Sequence, residues 1–231
     1  MNNKHTLLFD YGGTLDTGGH HWGQVIWQAY EQLQIKVDYQ QYRKAYVETE
    51  QLLGREPIIK PETTFREVLQ EKITRQIEML GADMNRANEM VEILYQHTKE
   101  QTEHSRKVIT RLKNNYPTAL VSNFYGNLTT VLREFQLDNL FDLVIESAVV
   151  GIRKPDPNIF RLTIQQMKTT PEQTIVIGDS IKNDIRPAKM LGFKTIWIKG
   201  MAWNETPEDE TLADEIIYNI EQLEQTLKTN P

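Results

Sequence analysis

The feature that most constrains this chain is where its short apolar runs stop. Leu7-Leu8-Phe9 ends at Asp10, Thr118-Ala-Leu-Val ends at Ser122, and Thr174-Ile-Val-Ile ends at Gly178-Asp179. A short continuous apolar run closed by a glycine or a small polar residue reads as a strand buried on both faces. Further strands are expected over 141–145, 195–198 and from Glu215 onward. Helical-period segments over 127–135, 157–167, 184–191 and 220–227 separate them, with Asp156 suited to cap the second and Gly192 to close the third. Strand and helix in alternation predict an open parallel α/β sheet with helices on both faces.

From about His20 to Glu103 the pattern changes. Trp22, Ile26, Trp27 and Tyr30 recur at helical spacing, as do Val68, Ile73, Ile77 and Leu80. Gly54 to Pro61 interrupts this stretch, and Gly81-Ala-Asp reads as a helix stop and restart. Four helices and no strand are expected here. The predicted fold is therefore a Rossmann-like α/β core over 1–16 and 106–231, with an all-helical cap inserted over 17–105.

Composition limits what such a fold can do. The chain has 26 basic and 32 acidic residues, a net charge of -6, so it lacks the general basic field that nucleic acid or an anionic membrane surface would attract. It has no cysteine, which excludes disulfides and thiolate metal sites. No apolar run approaches the roughly 20 residues of a membrane span, and Met1 to Thr6 is too polar for a signal peptide. A cytoplasmic protein is expected, as a monomer or small homo-oligomer.

In an open α/β sheet, ligands bind beyond the carboxyl ends of the strands. Four polar clusters fall at such places: Asp10, Ser122-Asn123, Lys154, and Asp179 with Asp184. They supply a carboxylate nucleophile, a hydroxyl donor, a cation and two more carboxylates, the set needed to attack a phosphoryl group. The anionic nucleophile must be shielded from an anionic substrate, and a hard, oxygen-ligated Mg2+ does that. Plainer roles exist for each. Asp10 suits a turn, Ser122 a helix cap, and Asp184 the start of the helix from Ile185. Thr14 orients Asp10 or satisfies the loop backbone.

Phe-Asp10-Tyr-Gly-Gly-Thr-Leu-Asp16, Val-Ser122-Asn, Arg-Lys154-Pro-Asp-Pro and Ile-Gly-Asp179-Ser-Ile-Lys-Asn-Asp184 resemble, in order, the four signatures of the haloacid dehalogenase-like hydrolases. The resemblance covers the whole chain. It implies a hydrolase with Asp10 as nucleophile and Ser122 and Lys154 as its catalytic partners. It implies a metal held by Asp10, Asp179, the backbone carbonyl of Gly12 and, directly or through water, Asp184. Thr14 and Asn123 would contact the substrate, a small phosphorylated metabolite. By this resemblance the chain is a phosphatase that forms an aspartyl phosphate on Asp10.

Gly12 departs from the pattern. Phosphatases of this family usually carry a second aspartate there, which protonates the leaving group and then activates water. Such catalysis is worth about 10² to 10⁴ in rate. Three explanations compete. Asp16, His20 or His21 replaces it; the leaving group is good enough to need no acid, as in an acyl or aryl phosphate; or the reaction is not phosphate ester hydrolysis. The phosphonate-cleaving members also lack that aspartate and use a cap lysine, but Lys36, Lys44, Lys60 and Lys72 show no distinctive apolar setting. The dehalogenating members place tyrosine two residues after the nucleophile, whereas Tyr11 is one after. A slow binding or regulatory member of the family is a further alternative. In the cap, 54–61 is the expected specificity loop, with Arg55 or Lys60 reaching a distal anionic group, though it reads equally as a solvated connection. Gly18-Gly19 suits a hinge, Trp22 and Trp27 suit packing, and Met201-Ala-Trp-Asn borders the pocket.

Overall fold

A computed structural model describes residues 5–204 and 206–229; Met1 to Lys4, on which the leader expectation partly rests, lie outside the described residues. Six parallel strands form one sheet in the order β3-β2-β1-β4-β5-β6. They are β1 (Thr6–Phe9), β2 (Thr118–Ser122), β3 (Leu143–Glu146), β4 (Thr174–Gly178), β5 (Lys194–Ile198) and β6 (Glu215–Ile217). β1, β2 and β4 are buried along their whole length, which is why their sequences run apolar without alternation. The order reverses between β1 and β4, so the crevice at their carboxyl ends is the place where such a sheet binds ligands.

Between β1 and β2 lie four α-helices: α1 (Trp22–Gln32), α2 (Tyr39–Arg55), α3 (Phe65–Leu80) and α4 (Ala87–Lys113). The start signals are in the sequence. Asp38 caps α2, and Thr64 with Glu67 forms a capping box on α3. The stop is there too: Gly81 ends α3 in the left-handed conformation. α2 runs through Gly54, so the interruption begins only after Arg55.

α4 runs unbroken across residue 105, where a core boundary was expected. It packs on α1 and α3. Its second half is held to the C-terminal part of the chain by His104 to Glu221 and Arg111 to Glu224, each at 2.5 Å. A periodic apolar face sustained from Ala87 to Leu112 leaves no break that the sequence could advertise.

α5 (Leu128–Glu134), the short α6 (Ser147–Val150), α7 (Asn158–Met167), α8 (Arg186–Met190) and α9 (Leu223–Thr229) complete the core. The expected helix from Asp184 begins differently. A single π-helical turn, Ile181–Ile185, precedes α8, and Ser180 rather than Asp184 caps it, accepting from the Asn183 N–H. Asp184 therefore lies inside the turn with its side chain buried. None of the described helices is long and apolar enough to cross a membrane.

Candidate active site

Three strand ends and one loop deliver the polar residues to one crevice. Asp10 follows β1, and its N–H is held by the Ile177 carbonyl of β4 at 2.9 Å. Ser122 ends β2. Asp179 follows β4. Lys154 comes from the loop between α6 and α7 and is 4% exposed. Its Nζ lies 2.7 Å from Asp10 Oδ1 and 2.6 Å from Asp184 Oδ1, so one ammonium bridges two carboxylates. Burial alone pulls the Lys154 ammonium down, but Asp10 and Asp184 hold it above the ordinary lysine value, and it stays charged.

The carboxylates are in surplus. Asp10, Asp179 and Asp184 each offer an oxygen, all within 4.8 Å of one another. Burial pushes Asp184 up to about 6, with Lys154 opposing and Asp10 adding to the rise. Burial, and then Asp10 and Asp184, push Asp179 well above the usual carboxylate range. Three hard oxygen donors with too little positive charge between them fit a small divalent cation. These are the residues that can hold a metal.

The loop after β1 is shaped around this cluster. Gly13 has φ +92°, and a Cβ there would lie 2.4 Å from Asp179 Oδ2, so only glycine lets the loop approach the carboxylate. Thr14 Oγ1 donates to Asp179 Oδ1 and accepts from its N–H, both at 3.0 Å. Thr14 thus orients a carboxylate, Asp179 rather than Asp10. Gly12 is different: its backbone is outside the left-handed region, and nothing lies within 4 Å of where its Cβ would be.

The expected acid–base substitutes have other tasks. Asp16 is fully buried and accepts from the Gly13 N–H at 2.7 Å and from Trp22 Nε1 at 2.9 Å. Burial raises it to about 7, against those two hydrogen bonds. His21 caps α1 by accepting the Gly23 N–H at 3.0 Å, and burial lowers it to about 4, so it is neutral at pH 7. His20 Nδ1 accepts the Met201 N–H at 2.9 Å, and its ring is not part of the cavity wall. Gly19 is a crossing point as well as a bend, because a Cβ there would meet the Ile198 carbonyl at 2.9 Å.

The crevice opens into a cavity of about 400 Å³ between the sheet and the inserted helices. Asp10, Gly12, Asp16, His21, Ser122, Asn123, Lys154, Asp179 and Asp184 all line it. Ser122 Oγ is buried and has no hydrogen-bond partner among the described residues. Asn123 is committed elsewhere. Its amide donates to the Lys154 carbonyl at 3.0 Å and accepts the Lys154 N–H at 2.9 Å, so it fixes the loop that carries the lysine.

Arg55 and Lys60 are exposed and outside the cavity wall; Arg55 Nε bonds the Gln51 carbonyl of its own helix at 3.2 Å. The segment that follows docks on the core instead, with Asn127 Nδ2 on the Thr63 carbonyl at 2.8 Å and Thr130 Oγ1 on the Pro61 carbonyl at 2.6 Å.

Sequence reasoning missed the cap side of the wall. Lys72, which looked unremarkable as a cap lysine, is 7% exposed and pairs with Glu50 at 2.7 Å. Its ammonium lies 5.0 Å from the Tyr125 ring centroid and 5.9 Å from that of Trp22. Tyr125 donates its hydroxyl to the other Glu50 oxygen at 2.5 Å. The signal was present, because Lys72 falls on the stripe of Val68, Leu69, Ile73 and Ile77 that α3 buries. Trp22 also has a polar task, its bond to Asp16, whereas Trp27 packs among Tyr30, Tyr39 and Tyr42. Met201, Ala202, Trp203 and Asn204 do border the cavity.

Comparison with known proteins identifies the class. A family model described as haloacid dehalogenase-like hydrolase matches residues 4–192. The chain belongs to that family. It is 33% identical over 144 residues to a glyceraldehyde 3-phosphate phosphatase of Pyrococcus furiosus, covering 59% of this chain and 60% of that protein. It is 28% identical over 151 residues to a phosphoserine phosphatase of Thermus thermophilus, covering 64% of this chain and 57% of that one. The match thus spans somewhat over half the length of these relatives. A crystal structure of a dehalogenase with an intermediate complex superposes with a TM-score of 0.67 over 98% of both chains at 16% identity, a likeness of fold.

Proposed function

We propose that the chain is a Mg2+-dependent phosphatase of small phosphorylated metabolites, with Asp10 as nucleophile and residues 17–105 as the cap over its site. The observation that carries this reading is the grouping of Asp10 with Asp179 and Asp184 around Lys154, at the switch point of the sheet. The two phosphatase relatives support the same reaction class.

Asp10 Oδ attacks phosphorus, the bond to the leaving oxygen breaks, and an aspartyl phosphate forms; water then cleaves it and restores the carboxylate. Lys154 holds Asp10 in place and supplies positive charge where the phosphoryl oxygens sit. Ser122 donates its free hydroxyl to one of those oxygens. Asn123 positions Lys154, and Thr14 positions Asp179. Mg2+, when bound by Asp10, Asp179, Asp184 and the Gly12 carbonyl, neutralises charge on nucleophile and substrate. The inserted helices exclude water from the cavity.

A slower, binding or regulatory role is the second reading, and Gly12 is the observation in its favour. A phosphate-release screen with Mg2+ over alkyl, aryl and acyl phosphates separates the two, with Asp10→Asn as control. Turnover lost in Asp10→Asn supports the phosphatase. Absence of turnover on every ester by metal-loaded protein sinks it, and halide release without metal would establish dehalogenation instead.

A further inference from the structure

We propose that the cavity selects phosphate esters of aromatic alcohols, whose leaving group departs without a proton. This rests on the phosphatase reading above and adds the substrate class to it. Two independent observations meet here. The first is that position 12 and the neighbouring Asp16 and His21 do not offer a proton to a leaving oxygen. Position 12 is open space. Both Asp16 oxygens accept N–H groups. His21 is neutral, with Nδ1 occupied by the helix it caps. An aliphatic alcohol, as weak an acid as water, is a poor leaving group without a proton. A phenol, at about 10 as in tyrosine, leaves as its anion.

The second observation is the aromatic share of the same wall. Trp22, Tyr46, Phe65, Phe124, Tyr125 and Trp203 line it. Trp203 lies 4.8 Å from Tyr46 and stacks on His21 at 5.1 Å. The Arg43 guanidinium also lies 4.0 Å over the Trp203 ring, so that ring has part of its surface taken, and the remaining faces and edges of the cluster can contact a flat apolar group. A cavity of about 400 Å³ takes a phosphoryl group and a small ring system.

The chemistry has a kinetic consequence. In the first step the Asp10–phosphorus bond forms, the phosphorus–aryl oxygen bond breaks, and the phenolate keeps the electron pair and takes a proton from solvent after release. In the second, water adds to phosphorus, the bond to Asp10 breaks, and the water proton leaves with phosphate. The aromatic leaving group speeds only the first step. Without a base at position 12 the second is slow and the same for every ester. Aryl phosphates should therefore share one steady-state rate, preceded by a burst of phenol release.

The test uses the full chain with Mg2+. Stopped-flow with 4-nitrophenyl phosphate should give a burst of about one nitrophenolate per site, and phenyl phosphate should share its steady-state rate. Ethyl phosphate should give no burst and turn over at least tenfold more slowly. In a binding arm that needs no turnover, phenylphosphonate should bind at least tenfold more tightly than ethylphosphonate. Trp203→Leu and Tyr46→Leu should each shrink that ratio while leaving inorganic phosphate affinity within threefold. Two variants guard against misfolding of one. Equal turnover of ethyl and phenyl phosphates with no burst, or equal phosphonate affinities, overturns the aromatic proposal and leaves the phosphatase reading intact. No release from any ester defeats both.

Discussion

Gly12→Asp is the substitution that separates a site lacking one group from a site built around another solution. The backbone at Gly12 is outside the left-handed region, and no atom lies within 4 Å of the Cβ it would gain. The backbone and the Cβ position therefore tolerate the change. Loss of glycine's freedom in the unfolded chain would add about 0.4–1 kcal/mol of stability where the conformation is compatible. A fourth carboxylate near Asp10, Asp179 and Asp184 works against that, so the net effect on stability should be small. The effect on rate should not be small. A positioned general acid–base is worth about 10² to 10⁴, or roughly 3–5 kcal/mol off the barrier.

The assay is phosphate release with Mg2+ from ethyl and phenyl phosphates, with melting temperature and metal affinity measured alongside. Ethyl phosphate should gain at least a hundredfold in kcat, because protonation of the leaving oxygen is what it lacks. Phenyl phosphate should gain only through the second step, and its burst should disappear. A variant that folds, binds Mg2+ as the parent does and gains less than tenfold on ethyl phosphate would show that position 12 is not what limits the site. The proton-transfer group would then have to be sought elsewhere in the wall.

Other substitutions probe the rest of the site. Ser122→Ala removes a buried hydroxyl that has no partner in the protein, so thermal stability should hold or rise slightly while kcat/KM falls by about 10² to 10³; a drop in melting temperature with unchanged activity would make Ser122 structural. Lys154→Met leaves Asp10 and Asp184 buried without their shared cation, and urea unfolding without metal should show a loss of about 3–5 kcal/mol, partly recovered with Mg2+. Asp16 is raised by burial to about 7, above its unfolded value. Its contribution to stability is therefore present below about pH 4 and lost as pH rises through about 7, by of order 4 kcal/mol at about 1.4 per unit. Melts of the parent and Asp16→Asn from pH 4 to 8 should show the parent losing ground by that amount; a flat difference would mean Asp16 titrates like an exposed carboxylate.

What the sequence disclosed follows from what each residue answers to. Asp10, Ser122 and Asp179 stand at the ends of strands buried on both faces, and those strands read as apolar runs whose ends can be counted. The crevice at the strand ends was legible for that reason. The cap side was not. A lysine among glutamates and glutamines reads as solvated until the faces of α3 are known, and Lys72 turns inward only because α2 supplies Glu50 and the core supplies Tyr125. Asn123 sits beside Ser122 in the chain, yet its partner is the backbone of Lys154, 31 residues away. Arg55 and Lys60 were placed by the charge of a loop whose direction the sequence does not contain. The helix expected to start at Asp184 begins in a π-helical turn, which carries no periodic signal of its own.

Charge counting connects the missing aspartate to the metal. Asp10, Asp179 and Asp184 carry three negative charges when ionised and Lys154 one positive, so -3 + 1 leaves -2 in a buried crevice. Burial first, and the neighbouring carboxylates after it, drive Asp184 and Asp179 upward in pKa. One divalent cation cancels the surplus charge, and a phosphate dianion then meets a cluster of zero net charge. Glu50 and Lys72 cancel each other across the cavity and do not alter this sum. A carboxylate at position 12 keeps the balance only while protonated; once ionised it sets the loaded site at -1 against an incoming dianion. Gly12 thus forgoes proton transfer but spares the site that repulsion. An aspartate there should raise KM for every phosphate ester, relative to the parent, as pH climbs past its own pKa, and equal KM values for the two proteins across that range would refute the charge argument.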